Sequence, residues 1–346
     1  RHTVLRQPIG VVAAFSPWNF PMSSPGRKVA GALSAGCAII LKASEETPAG
    51  AMLLVKAFHD AGLPPGVLNL VFGVPSVFSE HLIPQRTVRI VSFTGSIPVG
   101  KRLAELAGRH MKPAIMELGG HAPVIVCDDT NPERSAATSV IGKSRNAGQV
   151  CVSPTRFFVH EKNYQAFLAT FAEKAKALKV GDGLDESNQM GPLANHRRIE
   201  AMEAFVADAK DKGAKIMAGG SRIGNRGYYF PLTVLADVPD TARVMSEEPF
   251  GPLAIVNPVK SLDEAIEKAN ALPYGLAAYA FTNSARYAEE LAERVEAGNL
   301  SINHLTASIA ETPFGGVKES GYGREGGTEG LECYTVVKNV SHLMAQ

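Results

Sequence analysis

The feature that most constrains this chain is an alternation. Through residues 9–127, short and almost uninterrupted apolar runs take turns with segments whose apolar residues recur at helical spacing. Residues 9–15, 38–41, 67–72 and 89–93 are apolar runs of strand length, and residues 26–36, 75–83 and 100–108 read as helices. Ala51, Leu54, Val55 and Phe58 share one helical face that stops at Gly62 and Pro64-Pro65. Strands apolar on both faces belong in a parallel sheet covered on both sides, so the expected fold class is α/β. Sheets of this kind take ligands at the carboxyl ends of their strands.

After Glu117-Leu118-Gly119-Gly120 the texture changes. Longer amphipathic helices are expected at 162–178, 197–212, 262–271 and 285–297, with short strands between them, which makes a second α/β domain. Residues 315–330 are glycine-rich, and 333–340 alternate as an edge strand would. Charge excludes one class of partner: 35 basic residues against 34 acidic give a net charge of +1, too little to hold nucleic acid. The longest apolar stretch, 29–41, is too short to span a bilayer and ends at Lys42, so no membrane is expected. Cys37, Cys127, Cys151 and Cys333 lie far apart, without the close pairing of a zinc site, so no metal is expected. Reduced thiols and the lack of a visible secretory signal point to a cytoplasmic protein.

Four short segments can carry chemistry. In Gly148-Gln149-Val150-Cys151, a cysteine follows a glycine, with Arg145 nearby to favour thiolate; for an arbitrary cysteine, a buried structural thiol is the ordinary alternative. In Met116-Glu117-Leu118-Gly119-Gly120 a carboxylate stands among apolar neighbours, where burial raises its pKa towards that of a general base. Pro17-Trp18-Asn19-Phe20-Pro21 follows the first strand and holds rigidly an amide able to stabilise an oxyanion, although such a pattern alone is also a plain turn. Phe93-Thr94-Gly95-Ser96 is a small-residue turn leading into a helix, suited to phosphate but unlike the G-x-G-x-x-G fingerprint. Lys42 and Glu45 follow the second strand, where a charge pair could hold ribose hydroxyls or simply start a solvated helix.

Taken together and in order with Glu247-Glu248-Pro249-Phe250-Gly251-Pro252 and Pro313-Phe314-Gly315-Gly316, these segments resemble the aldehyde dehydrogenase superfamily from about residue 9 to the end. The resemblance implies a Rossmann-type cofactor domain at 9–117, a catalytic α/β domain at 118–320, and an oligomerisation arm from 1–8 and 333–346. It implies that Cys151 is the nucleophile, Asn19 and the Cys151 N–H hold the oxyanion, and Glu117 activates water. Lys28 and Glu325 match a proton relay. Cofactor contacts carried over by the resemblance fall on Phe15, Ser16, Pro17, Trp18, Lys42, Glu45, Phe93, Thr94, Gly95, Ser96, Val99, Leu118, Glu248 and Phe250. NAD is expected in preference to NADP, because a carboxylate at Glu45 repels a 2′-phosphate.

The family's N-terminal helical region has no counterpart before Arg1, so a larger native protein or a truncated gene is expected. Assembly as a homodimer or homotetramer is implied through the arm. Arg27 and Arg145 resemble the arginines that hold the substrate carboxylate in the succinate-semialdehyde branch, and Ser308 lies near a serine of that branch; succinate semialdehyde is therefore the expected small-molecule aldehyde. Other readings are a CoA-acylating enzyme, which has less use for Glu117, a cysteine hydrolase, which needs a histidine partner, and an inactive remnant serving as a scaffold.

Overall fold

The computed structural model describes residues 1–344. The chain divides into two compact units, Arg1–Leu118 with Ser308–Gln346, and Gly119–Ala307.

In the first unit, Val11–Phe15, Ile39–Lys42, Leu68–Val71, Val88–Thr94 and Ala114–Glu117 form a parallel sheet. The order across it is 68–71, 39–42, 11–15, 88–94, 114–117, so the winding reverses between the first and fourth strands in sequence. Period-two alternation splits the core between the two faces: Val12 and Ala14 pack with Val29, Ala32, Ile39 and Leu41, while Ala13 and Phe15 pack with Ile83, Val91 and Leu103. Helices Ser23–Ser34, Pro48–Asp60, Pro75–Leu82 and Ile97–Arg109 make the crossovers, and the last three carry proline in the first turn, where no N–H is needed.

The sequence placed the end of the catalytic domain at 320, but the chain rejoins the first unit at Ser308. The reason is pairing: Gly321–Tyr322 adds antiparallel beside Ala114–Glu117, and Phe314 bridges Glu325. Gly321 has φ +116, and a Cβ there would run into the Met116 carbonyl, so this edge strand requires glycine. At the termini, His2–Pro8 and Thr335–Ser341 form an antiparallel two-stranded ribbon over the segments assigned to the arm.

The second unit holds a seven-stranded sheet in the order 299–302, 277–281, 123–126, 156–160, 253–259, 233–236, 215–218. All neighbours run parallel except Lys215–Ala218 at one edge. Its helices include Glu161–Ala177, His196–Asp211, Leu262–Asn270 and Ala285–Arg294, each within a few residues of the span its periodicity gives. Phe157, Phe167 and Phe171 meet edge-on and tilted at 5.1–5.9 Å between centroids, filling the space beneath Glu161–Ala177. Among the described residues no helix is long and apolar enough to cross a membrane.

Candidate active site

In the first unit, the expected cofactor residues gather at the carboxyl ends of the parallel strands. Phe15 and Ser16 end the first strand, Lys42 the second, Phe93 and Thr94 the fourth, and Glu117 the fifth, with Leu118 next along the chain. Pro17, Trp18 and Asn19 continue from the first strand as a half-buried turn before helix Ser23–Ser34. Gly95 and Ser96 lead from the fourth strand into helix Ile97–Arg109, whose early residue Val99 is exposed. A Cβ at Gly95 would strike the Phe93 ring and one at Gly100 would strike Leu118, so both glycines let backbone pass close to side chains.

The loops after the first and fourth strands flank the reversal of winding, where open α/β sheets take dinucleotides. Ser16 Oγ and Thr94 Oγ1, one on each side, are buried without a hydrogen-bond partner. Buried hydroxyls are ordinarily paired, and two orphans at this point fit a polar group bound there. Lys42 Nζ pairs with Glu45 Oε1 at 2.5 Å, and the same oxygen accepts from Gly73 N at 3.1 Å. Desolvation works to raise the Glu45 carboxyl, but hydrogen bonds from Lys42 and from the backbone of Glu45 and Gly73 outweigh it, and the group is held below its ordinary value.

The residues expected to do acid–base work belong to the same unit. Glu117 is 3% exposed, and neither carboxylate oxygen has a hydrogen-bond partner. Burial, then the charge of Glu325, raises its carboxyl well above the usual range; Lys28, Arg324 and Arg27 pull the other way without restoring it. Lys28, fully buried on helix Ser23–Ser34, donates to Glu325 Oε1 at 2.8 Å and to Ser92 Oγ at 3.0 Å. Arg27 donates to Ser308 Oγ at 2.5 Å and lies over the Phe314 ring, 4.7 Å from its centroid. Arg27 makes no ion pair with a carboxylate among the described residues, which removes the plainest structural reason for an arginine there.

The second unit holds Cys151, half-buried at the corner of a turn closed by Ser153 N to Val150 O at 2.9 Å. The approach to it is strained. Asn146, Ala147 and Gly148 have φ of +48°, +51° and +69°, three left-handed residues in a row after helix Pro132–Ser144. Buried Gln149 fixes this approach by donating to Asn146 O at 3.1 Å and accepting from Ala194 N at 2.8 Å. Tyr279 Oη donates to Val152 O at 2.6 Å just beyond the cysteine. Burial and then the Cys151 thiol raise the Tyr279 hydroxyl while Arg145 lowers it, so Cys151 and Arg145 both lie within electrostatic reach of one phenol. Arg145 itself is exposed.

Glu248 and Phe250 are also here. Glu248 is half-buried overall, but its carboxylate tip is enclosed: Oε1 accepts from Gly120 N at 3.3 Å, and a side chain at Gly119 would meet Oε2. Desolvation pushes it up to about 7, with the Gly120 N–H, Arg198 and Lys143 holding it lower than burial alone would. Phe250 has φ +44, and Arg198 holds that bend by donating to the carbonyls of Pro249 and Phe250. Three contributors escaped the sequence reading: Arg198, Tyr279 and Lys143. Nothing near Arg198 or Tyr279 signals a role. Lys143 had a signal, since it falls on the buried stripe of its helix with Ala136 and Val140, a place for an apolar residue.

A parallel sheet with a buried orphan carboxylate at its carboxyl end, and an α/β unit presenting a cysteine on a strained turn, fit an oxidoreductase. The chain belongs to the aldehyde dehydrogenase family, whose model matches residues 1–340. It is 50% identical over 343 residues to 4-(hydroxymethyl)benzenesulfonate dehydrogenase TsaD1 of Comamonas testosteroni, covering 99% of this chain and 71% of that protein. A probable succinate-semialdehyde dehydrogenase [NADP(+)] of Sinorhizobium fredii is 43% identical, with 98% and 69% covered. The crystal structure of an NAD-dependent aldehyde dehydrogenase from Sinorhizobium meliloti superposes with a TM-score of 0.96 at 35% identity, covering 98% of this chain and 68% of that one.

Proposed function

We propose that this enzyme oxidises an aldehyde bearing a remote anionic group to the carboxylic acid, with Cys151 as nucleophile and Glu117 as general base. The nicotinamide cofactor, when bound, supplies the hydride acceptor. The Cys151 thiolate attacks the carbonyl to form a thiohemiacetal, whose oxyanion the Asn19 amide and the Cys151 N–H stabilise. Loss of hydride leaves a thioester on Cys151. Glu117 then takes a proton from water, which attacks the thioester and releases the acid. Lys28 and Glu325 pass that proton onward. Phe15, Ser16, Pro17, Trp18, Phe93, Thr94, Gly95, Ser96, Val99, Leu118, Glu248 and Phe250 are the residues that would hold the cofactor.

The observation that carries this reading is Glu117, buried with both oxygens unpartnered and its proton affinity raised. A structural glutamate at that depth would have hydrogen bonds; a base keeps its lone pairs for water. The anionic substrate class is supported by Arg27, a guanidinium held by Ser308 with no carboxylate of its own, and by relatives named for a sulfonate and for a semialdehyde. Succinate semialdehyde remains the first compound to try. NAD is the preferred cofactor in this reading, since Glu45 stays ionised where a 2′-phosphate would approach, although Lys42 softens the repulsion. A cytoplasmic setting keeps the essential thiol reduced, and the terminal ribbon serves assembly into a homodimer or homotetramer.

The test is turnover of an aldehyde panel with each cofactor, followed by nicotinamide absorbance. Succinate semialdehyde and a sulfonated benzaldehyde are expected to exceed uncharged aldehydes of similar size, with loss of that preference in Arg27→Ala. Equal rates on charged and uncharged aldehydes would remove the anion clamp. Normal turnover by Cys151→Ser would remove the thiol mechanism.

A further inference from the structure

We infer that Lys143 is a positioning residue for Cys151, holding the turn that carries the thiol and coupling its own charge to the ionisation of that thiol. The inference rests on the reading of Cys151 as the nucleophile. Lys143 stands in the last turn of helix Pro132–Ser144 and is fully buried. Its ammonium donates to Ser153 Oγ at 3.0 Å and forms no ion pair among the described residues. Ser153 closes the turn on which Cys151 is the first corner, so the amine binds the same four-residue turn as the thiol.

Burying an ammonium against a hydroxyl, with the Glu248 carboxylate in electrostatic reach but not in ion-pair contact, is costly, and a methionine would fill the same volume without that cost. The other anchors of this segment, Gln149 on one side and Tyr279 on the other, are neutral. Lys143 alone among these three can place a positive charge beneath it. The charged and titratable groups that face Lys143 are Glu248, which favours its ammonium, and His121, held neutral by burial and then by Arg156. Desolvation, against the pull of Glu248, brings Lys143 down to about 7, so its charge is free to respond to a neighbour near neutrality. A thiolate on the turn favours the ammonium and the ammonium favours the thiolate, and the two ionisations are linked.

The experiment measures alkylation of Cys151 by iodoacetamide in the full chain as a function of pH, read on the Cys151 peptide by mass, in wild type, Lys143→Met and Ser153→Ala. Lys143→Met is expected to slow alkylation near neutrality about tenfold, an alkaline shift of about one unit in the midpoint. Ser153→Ala, which keeps the buried charge, is expected to slow it about threefold with a smaller shift, since one hydrogen bond to the turn is lost. An unchanged profile in folded Lys143→Met overturns the inference. Should Lys143→Met fail to fold, an unchanged profile in Ser153→Ala overturns it and a slowed one sustains it. The readout separates this inference from the reading beneath it: alkylation of Cys151 reports Lys143 whether or not that thiol attacks aldehyde, and turnover by Cys151→Ser judges the nucleophile alone.

Discussion

Glu117 is expected to leave a mark on stability as well as on rate. Its folded proton affinity lies above the ordinary value of 4.5, so between that value and the folded pKa the native state binds more protons than the unfolded state. Stability therefore falls as pH rises through that window. Glu117→Gln keeps the shape and removes the charge, so its melting temperature is expected to exceed wild type by roughly 2–4 °C at about pH 8 and to match it near pH 4. Calorimetry at the two pH values checks this, and an equal difference at both would mean that Glu117 is not buried as a base. In the same variant a burst of reduced cofactor followed by slow turnover is expected, because thioester hydrolysis suffers before its formation. Lys28→Met, by contrast, strands Glu325 without its partner and is expected to lower the urea-unfolding free energy by about 3–5 kcal/mol. The sequence shows Glu117 as a carboxylate among apolar residues, and its burial follows from that. It does not show Lys28 meeting Glu325, which lies 297 positions away, without the family resemblance.

At the scale of elements, the approach to Cys151 is a demanding piece of backbone, with three left-handed residues in a row. Gly148 is left-handed, and a Cβ on it would enter the carbonyl of Gly251. Gly148→Ala is expected to cost about 2–4 kcal/mol through strain and overpacking, measured by urea unfolding, because φ is positive there and the atoms in the way are backbone, not the end of a side chain. A loss below about 0.5 kcal/mol, the scale of an ordinary surface change, would show that the segment relaxes freely. The parallel strands and the long helices were legible because uninterrupted apolar runs and apolar period 3.6 are set by residue type alone. The left-handed run at Asn146 and Ala147 was not, since neither residue demands positive φ and only the packing around them imposes it. Lys143 shows the same limit from the other side. Its place on a buried stripe was readable, but its bond to Ser153 and the distance that keeps Glu248 out of ion-pair contact are facts of three dimensions.

Across the whole molecule, the terminal ribbon is where sequence and structure make one argument about assembly. Two strands alone are marginal in water, and the outer edges of His2–Pro8 and Thr335–Ser341 pair with no further strand among the described residues. Val4 is 68% exposed and Val337 62%, so the ribbon offers both a row of unpaired backbone groups and apolar side chains. Edges like this add strands from another chain unless charge or proline blunts them. Alternation at 333–340 marked the second strand in the sequence, whereas its partner at 1–8 followed only from the resemblance, because eight residues with polar and apolar positions mixed carry no period. A homodimer or homotetramer is expected by light scattering at micromolar concentration. Val4→Lys combined with Val337→Lys is expected to shift it to monomer, because two ammonium groups on an edge must be desolvated when a strand docks. Thiol alkylation of Cys151 by the same variant is expected to stay at the wild-type rate, since the substituted valines belong to the first unit and Cys151 to the second. A stable wild-type monomer, or a double variant that assembles as wild type does, would assign the ribbon to the fold of its own unit and leave assembly to another surface.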